Sequence, residues 1–176
     1  MILKPQDVIV VLKLLSIGEQ PWTYARLAAG LDLSTSQLYA AVKRALSSQL
    51  AIDLGGRIVP NARNLQEFLV HGLKYVFVPE RGEMTRGIPT GYAAPVLRDF
   101  FSADDEPQPV WPHPQGGTRG MAFSPLYKIA PSAADRDPKL YGLLALVDAI
   151  RGGRARERQV AIQQLKKRLD EHAPVI

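Results

Sequence analysis

Apolar residues recur at helical spacing through the first half of the chain and lose that rhythm in the middle. Val8, Val11, Leu12 and Leu15 fall on one stripe. Pro5 suits a first helical turn, so the spacing predicts a helix from Pro5 to about Ser16, ended by Gly18–Pro21. Thr23 can cap a short second helix with Leu27, Ala28 and Leu31 on one face. Gly30-Leu31-Asp32-Leu33 then reads as a tight turn, with Gly30 free to take a positive φ. Ser34 can cap a third helix, whose Leu38, Ala41, Val42, Ala45 and Leu46 keep a 3, 4, 3, 4 rhythm. Residues Ala51 to Val59 alternate around Gly55-Gly56, the pattern of a two-residue β-hairpin. Asn61 can cap a further helix with Leu65, Phe68, Leu69, Gly72, Leu73 and Val76 on one face.

From Phe77 to Asp137 prolines are frequent and the helical period disappears, which reads as an irregular arm with a few short strands. Val110–His113 and Thr118–Phe123 flank Pro114-Gln115-Gly116-Gly117 and predict a second hairpin. Thr85-Arg86-Gly87 is echoed by Thr118-Arg119-Gly120, either a chance match or a structural repeat. Asp137 and Pro138 open a helix carrying Leu140, Leu143, Leu144, Val147 and Ile150. Gly152-Gly153 breaks it. A last helix to about His172 places Val160, Ile162, Leu165 and Leu169 inside and Lys and Arg outside, completing a helical hairpin.

Composition narrows the class. The 176 residues are 46% apolar and 22% charged, which indicates a folded chain. There is no cysteine, which excludes disulfides and thiolate metal sites. No apolar run reaches the ~18 residues of a membrane span, and no signal peptide is expected. The net charge of +5 is uneven. Residues 1–76 carry 8 basic and 5 acidic residues, 77–137 carry 6 and 8, and 138–176 carry 8 and 4. The first and last stretches suit a polyanion; the middle does not.

Two short helices at a fixed angle, Trp22 to Leu50, followed at once by a hairpin resemble a winged helix-turn-helix. The resemblance is to the winged-helix family of bacterial transcription regulators, with MarR-type proteins as the broad analogy, and covers Met1 to Tyr75. It implies sequence-specific binding of double-stranded DNA by a homodimer, in the cytoplasm and associated with the nucleoid. The expected fold is mainly α with small β-hairpins, an α+β protein in three parts. These are a winged helix-turn-helix (1–76), a Pro-rich arm with a short hairpin (77–137) and a C-terminal helical hairpin (138–176).

On the recognition helix, Thr35, Ser36, Gln37 and Tyr39 should point outward, because Leu38, Ala41 and Val42 take the inner face. Gln37 is the best base reader, since its amide can pair with adenine N6 and N7. Lys43, Arg44, Ser36 and Tyr39 suit phosphates, and Arg57, after the wing turn, can reach the minor groove or the backbone. Arg151, Arg154, Arg156 and Arg158 lie within eight residues, a density suited to phosphate or to an acidic protein partner. The alternative for all of them is ordinary solvated charge. His71, His113 and His172 lack ligand spacing, so no metal or other cofactor is expected. No catalytic motif is present, and the expectation is a protein that is not an enzyme. A second reading is an antitoxin-like interaction protein, whose arm and C-terminal helices bind a partner while the winged part autoregulates.

Overall fold

The computed structural model describes residues 1–172, so the last four residues of the expected C-terminal hairpin lie outside it. The fold is mixed α and β. Its helices are α1 (Pro5–Ile17), α2 (Tyr24–Gly30), α3 (Thr35–Ser47), α4 (Ala62–Glu67), α5 (Leu73–Val76), α6 (Ala130–Arg136), α7 (Pro138–Gly152) and α8 (Ala155–His172). Strands β1 (Ala51–Leu54) and β2 (Arg57–Pro60) form one hairpin. Strands β3 (Arg81–Pro89), β4 (Pro109–Pro112) and β5 (Thr118–Phe123) form a small closed barrel. Among the described residues, no helix is long and apolar enough to cross a membrane.

Helix α1 is the centre of the molecule. The spacing predicted one buried stripe, yet Gln6 to Leu12 and Leu14 to Ser16 are all buried. The reason is that α1 is packed by α3, by β2 and by α7 at once. One apolar cluster runs from Val8 on α1, through Leu38 on α3 and Trp111 on β4, to Leu169 on α8.

Several local expectations are corrected. Gly30 closes α2 in helical conformation, and Asp32 takes the left-handed position of the turn, at φ 53°. The helix after Asn61 is broken by a π turn over Phe68–Gly72. A π turn accommodates one extra residue and rotates the rest of the helix about its axis. Val70 is therefore buried, whereas Val76, expected inside, is 56% exposed. The middle region also carries α6, which periodicity missed because its buried positions are small: Ala130, Ala133 and Ala134.

The predicted hairpin of Val110–His113 with Thr118–Phe123 does not form. β4 and β5 run parallel, pairing Pro109 with Met121, and each is antiparallel to β3. β3 gives its first half to β5 and its last residues to β4, so Gly87 pairs with both Pro112 and Thr118. Closure on so few strands forces backbones together. A Cβ at Gly87 would stand 2.0 Å from the Trp111 carbonyl oxygen, and one at Gly120 would stand 2.2 Å from that of Gln108. The Thr-Arg-Gly echo is a structural pair: Thr85 faces Gly120, Arg86 faces Arg119 and Gly87 faces Thr118, related by a local two-fold.

The barrel is tied to α7 by a buried polar knot. Asp148 is 2% exposed and accepts from Thr90 Oγ1 (2.6 Å), Trp111 Nε1 (2.7 Å) and Arg151 Nε (2.9 Å). Burial pushes the Asp148 carboxyl up, against the opposing pull of Arg151, Thr90 and Trp111. The Tyr141 hydroxyl donates to the Pro89 carbonyl, and burial pushes its phenol up to about 12.

Candidate nucleic-acid interface

The geometry of α2 and α3 is set by short-range bonds. The Thr23 hydroxyl accepts from Arg26 N (3.2 Å) and starts α2. Ser34 Oγ accepts from Gln37 N (3.1 Å), while Gln37 Oε1 accepts from Ser34 N (2.9 Å), a reciprocal cap that starts α3. The turn between them is braced from outside. Arg136 on α6 donates to the Ala29 carbonyl (3.3 Å) and to Asp32 Oδ2 (2.7 Å).

α3 buries Leu38, Ala41, Val42 and Ala45, and leaves Thr35, Ser36, Gln37, Tyr39, Lys43 and Ser47 exposed. Its outward face is polar along its length. Tyr39 is 60% exposed and lies at its ring centroid 5.6 Å from Tyr24, which in turn meets Trp22 edge-on at 5.1 Å. Burial, then Tyr39 and Asp53, push the Tyr24 phenol above its ordinary value, so it remains a neutral hydroxyl at neutral pH.

Two of the predicted contact residues have other work. Arg44 donates Nε and Nη2 to the two carboxylate oxygens of Asp7, both at 2.8 Å. Asp7 is fully buried and also accepts from Lys4 N (2.8 Å), so this bidentate pair fastens α3 to the start of α1. Hydrogen bonding to Asp7 raises the Arg44 pKa above its ordinary value, against the effect of burial. Arg44 is therefore withdrawn from phosphate contact. Gln37 is exposed, but its Oε1 is engaged in the cap, so reading adenine with both amide atoms requires that bond to open. Lys43 stays exposed and makes no ion pair among the described residues. Arg26 on α2 is likewise exposed without an ion-pair partner among the described residues. Sequence reasoning overlooked it, although its place three residues after the Thr23 cap was readable.

The hairpin β1–β2 stands directly after α3, with Leu54 paired to Arg57 across a two-residue turn. Gly55 (φ 66°) and Gly56 (φ 92°) both need the left-handed region, and Gly56 N donates to Asp53 Oδ1 (2.6 Å). Arg57 leaves this turn exposed, with Glu19 as a loose partner at 3.9 Å.

The arginine cluster divides. Arg151 is buried, paired to Asp148 and donating to the Phe77 (3.0 Å) and Ser124 (2.5 Å) carbonyls, so it is a structural residue and not a docking one. Arg158 Nε donates to the Ile150 carbonyl (3.1 Å) and closes the α7–α8 joint. Arg154 is exposed and pairs with Glu106. Arg156 is exposed and makes no ion pair among the described residues. The four predicted members thus do not form one surface.

No protein-family model, no curated protein and no solved structure matches the chain.

Proposed function

We propose that residues 1–76 are a winged helix-turn-helix that binds double-stranded DNA, with α3 as the recognition helix and the β1–β2 hairpin as the wing. The observation that carries this reading is the outward face of α3. Nothing among the described residues covers Thr35, Ser36, Gln37, Tyr39 or Lys43, while the opposite face is fixed in the core. A rod presented in this way has the width the major groove admits. Lys43, Arg26, Arg57 and Ser36 supply backbone contacts, and Gln37, at the helix start, supplies the base contact when its cap bond opens. In this reading the protein is a transcription regulator, acts as a repressor and is not an enzyme. A homodimer spaces two recognition helices by about one helical turn of DNA.

A second reading rests on a different observation. Tyr75, Val76 and Val78 are 75%, 56% and 66% exposed, an apolar run at the end of α5 that nothing among the described residues covers. In this reading the chain is an antitoxin-like interaction protein whose arm and C-terminal helices bind a partner protein, with that run at the arm's start as part of the contact, while the winged part autoregulates. Size measurement of the purified protein together with its copurifying species separates the two.

The test of the first reading is fluorescence anisotropy on labelled duplex fragments from the DNA upstream of the gene. The reading expects one fragment to be bound at least tenfold more tightly than scrambled duplex. Equal, weak affinity for every fragment contradicts it.

A further inference from the structure

A concavity lined mainly by apolar groups lies away from α3, where α1, α7 and α8 meet the segment Ala94–Val96. It is a groove of about 600 Å³, within the ~300 to 1,000 Å³ range of small-molecule sites. Its floor is apolar, built from Leu15, Pro95, Val96, Tyr141 and Leu143. Its rim is basic: Lys139 from α7, and Lys167, Arg168 and His172 from α8, against the single carboxylate of Glu171. None of these five rim residues makes an ion pair among the described residues.

Gly142 supplies an independent observation. It lies inside α7, where glycine weakens a helix relative to alanine. Sterics do not demand it, because a Cβ there would meet Val96 at 3.6 and 3.8 Å, ordinary contact distances. Gly142 and Val96 both line the groove, and a side chain longer than a methyl at 142 would project toward Val96 and occupy part of it.

We propose that this groove binds a small amphipathic organic anion, with its apolar body on the Leu15–Val96–Leu143 floor and its acidic head against Lys139 and Lys167. The inference rests on the groove alone and stands independently of DNA binding. The head is a carboxylate, sulfonate or phosphate, groups that an ammonium side chain holds as a point charge. A cationic or uncharged analogue of the same body lacks that contact.

The experiment uses 8-anilinonaphthalene-1-sulfonate as the fluorescent probe on the full chain, with decanoate and decyltrimethylammonium as competitors. One saturable site is expected, displaced by decanoate and not by the cation. Gly142→Leu fills the groove and is expected to abolish probe binding. Because that change sits in a packed helix, a second variant keeps the test sharp. The double change Lys139→Glu with Lys167→Glu alters only exposed residues and is expected to weaken binding at least tenfold, with the melting temperature as a check on folding. The proposal is overturned if the probe does not saturate, if the cation competes as well as decanoate, or if the folded double variant binds the probe unchanged.

Discussion

Arg44 reaches across from α3 to hold both carboxylate oxygens of Asp7, a residue with no exposed surface at the opening of α1. The pair joins the exposed helix to the helix at the centre of the molecule. Removing one partner strands a buried charge, which typically costs about 3 to 5 kcal/mol. Arg44→Ala should therefore lower the unfolding free energy by about 3 kcal/mol in urea titrations. Arg44→Lys should recover little of it, since lysine cannot form the two parallel bonds. A stability change below about 1 kcal/mol would remove Arg44 from this structural role.

The reciprocal cap makes a second, smaller prediction. Ser34→Ala loses the hydroxyl that accepts from Gln37 N and should cost about 1 kcal/mol, with Ser34→Gly costing a few tenths. Thermal melts of the three proteins check the order. Gln37→Ala should lower the stability through the lost cap bond and, if the proposed DNA reading holds, the base preference as well.

The barrel predicts an all-or-little contrast between glycines. Gly87→Ala and Gly120→Ala each drive a methyl into a backbone carbonyl and should cost about 3 kcal/mol or prevent folding. Gly117→Ala, at a position with nothing within 4 Å, should change stability by less than about 0.5 kcal/mol. Comparable effects at all three sites would contradict the parallel pairing of β4 and β5.

Asp137 gives a pH dependence with a definite sign. Burial pushes its carboxyl up, but bonds from Lys13 Nζ (2.7 Å), Leu140 N (3.1 Å) and Ser16 Oγ (3.0 Å) outweigh burial and hold it below its ordinary 3.8. A carboxyl lowered in the folded state stabilises fully above its unfolded pKa. That contribution begins to fall as the pH drops toward 3.8 and is gone below the lowered value. In Asp137→Asn, the loss of stability between about pH 5 and pH 3 should be smaller than in the parent, as read from urea midpoints.

Much of the helical layer was legible because caps and apolar rhythm are local. Thr23, Ser34, Asn61 and Asp137 cap where the residue order places them. Of the barrel only β4 and β5 were legible, as strands, and β3 lay unrecognised in the irregular arm. Alternation marks an extended segment but carries no information on its partner, and the close backbone approaches at Gly87, Gly116 and Gly120, where a Cβ would strike backbone atoms, show only in the folded chain. The candidate site failed in the same way. Lys43 and Arg44 are adjacent cations on one helix, and what separates them is a buried acid 37 residues earlier. Arg151 was grouped with its neighbours by density, yet its partners lie at Asp148, Phe77 and Ser124. The Asp148–Arg151 spacing of three on one helix was readable, but the Arg44–Asp7 pair and the bonds of Arg151 to Phe77 and Ser124 belong to the assembled core and have no local pattern.

The salt dependence of duplex binding tests the central claim most directly. Each phosphate contact contributes about one unit to the slope of log affinity against log salt. Lys43→Ala and Arg57→Ala should each reduce that slope by about one, for every sequence tested, while leaving the melting temperature in place. A slope unchanged in both folded variants, or no duplex binding by the parent at low salt, would contradict the account of α3 and its hairpin as a DNA-reading surface.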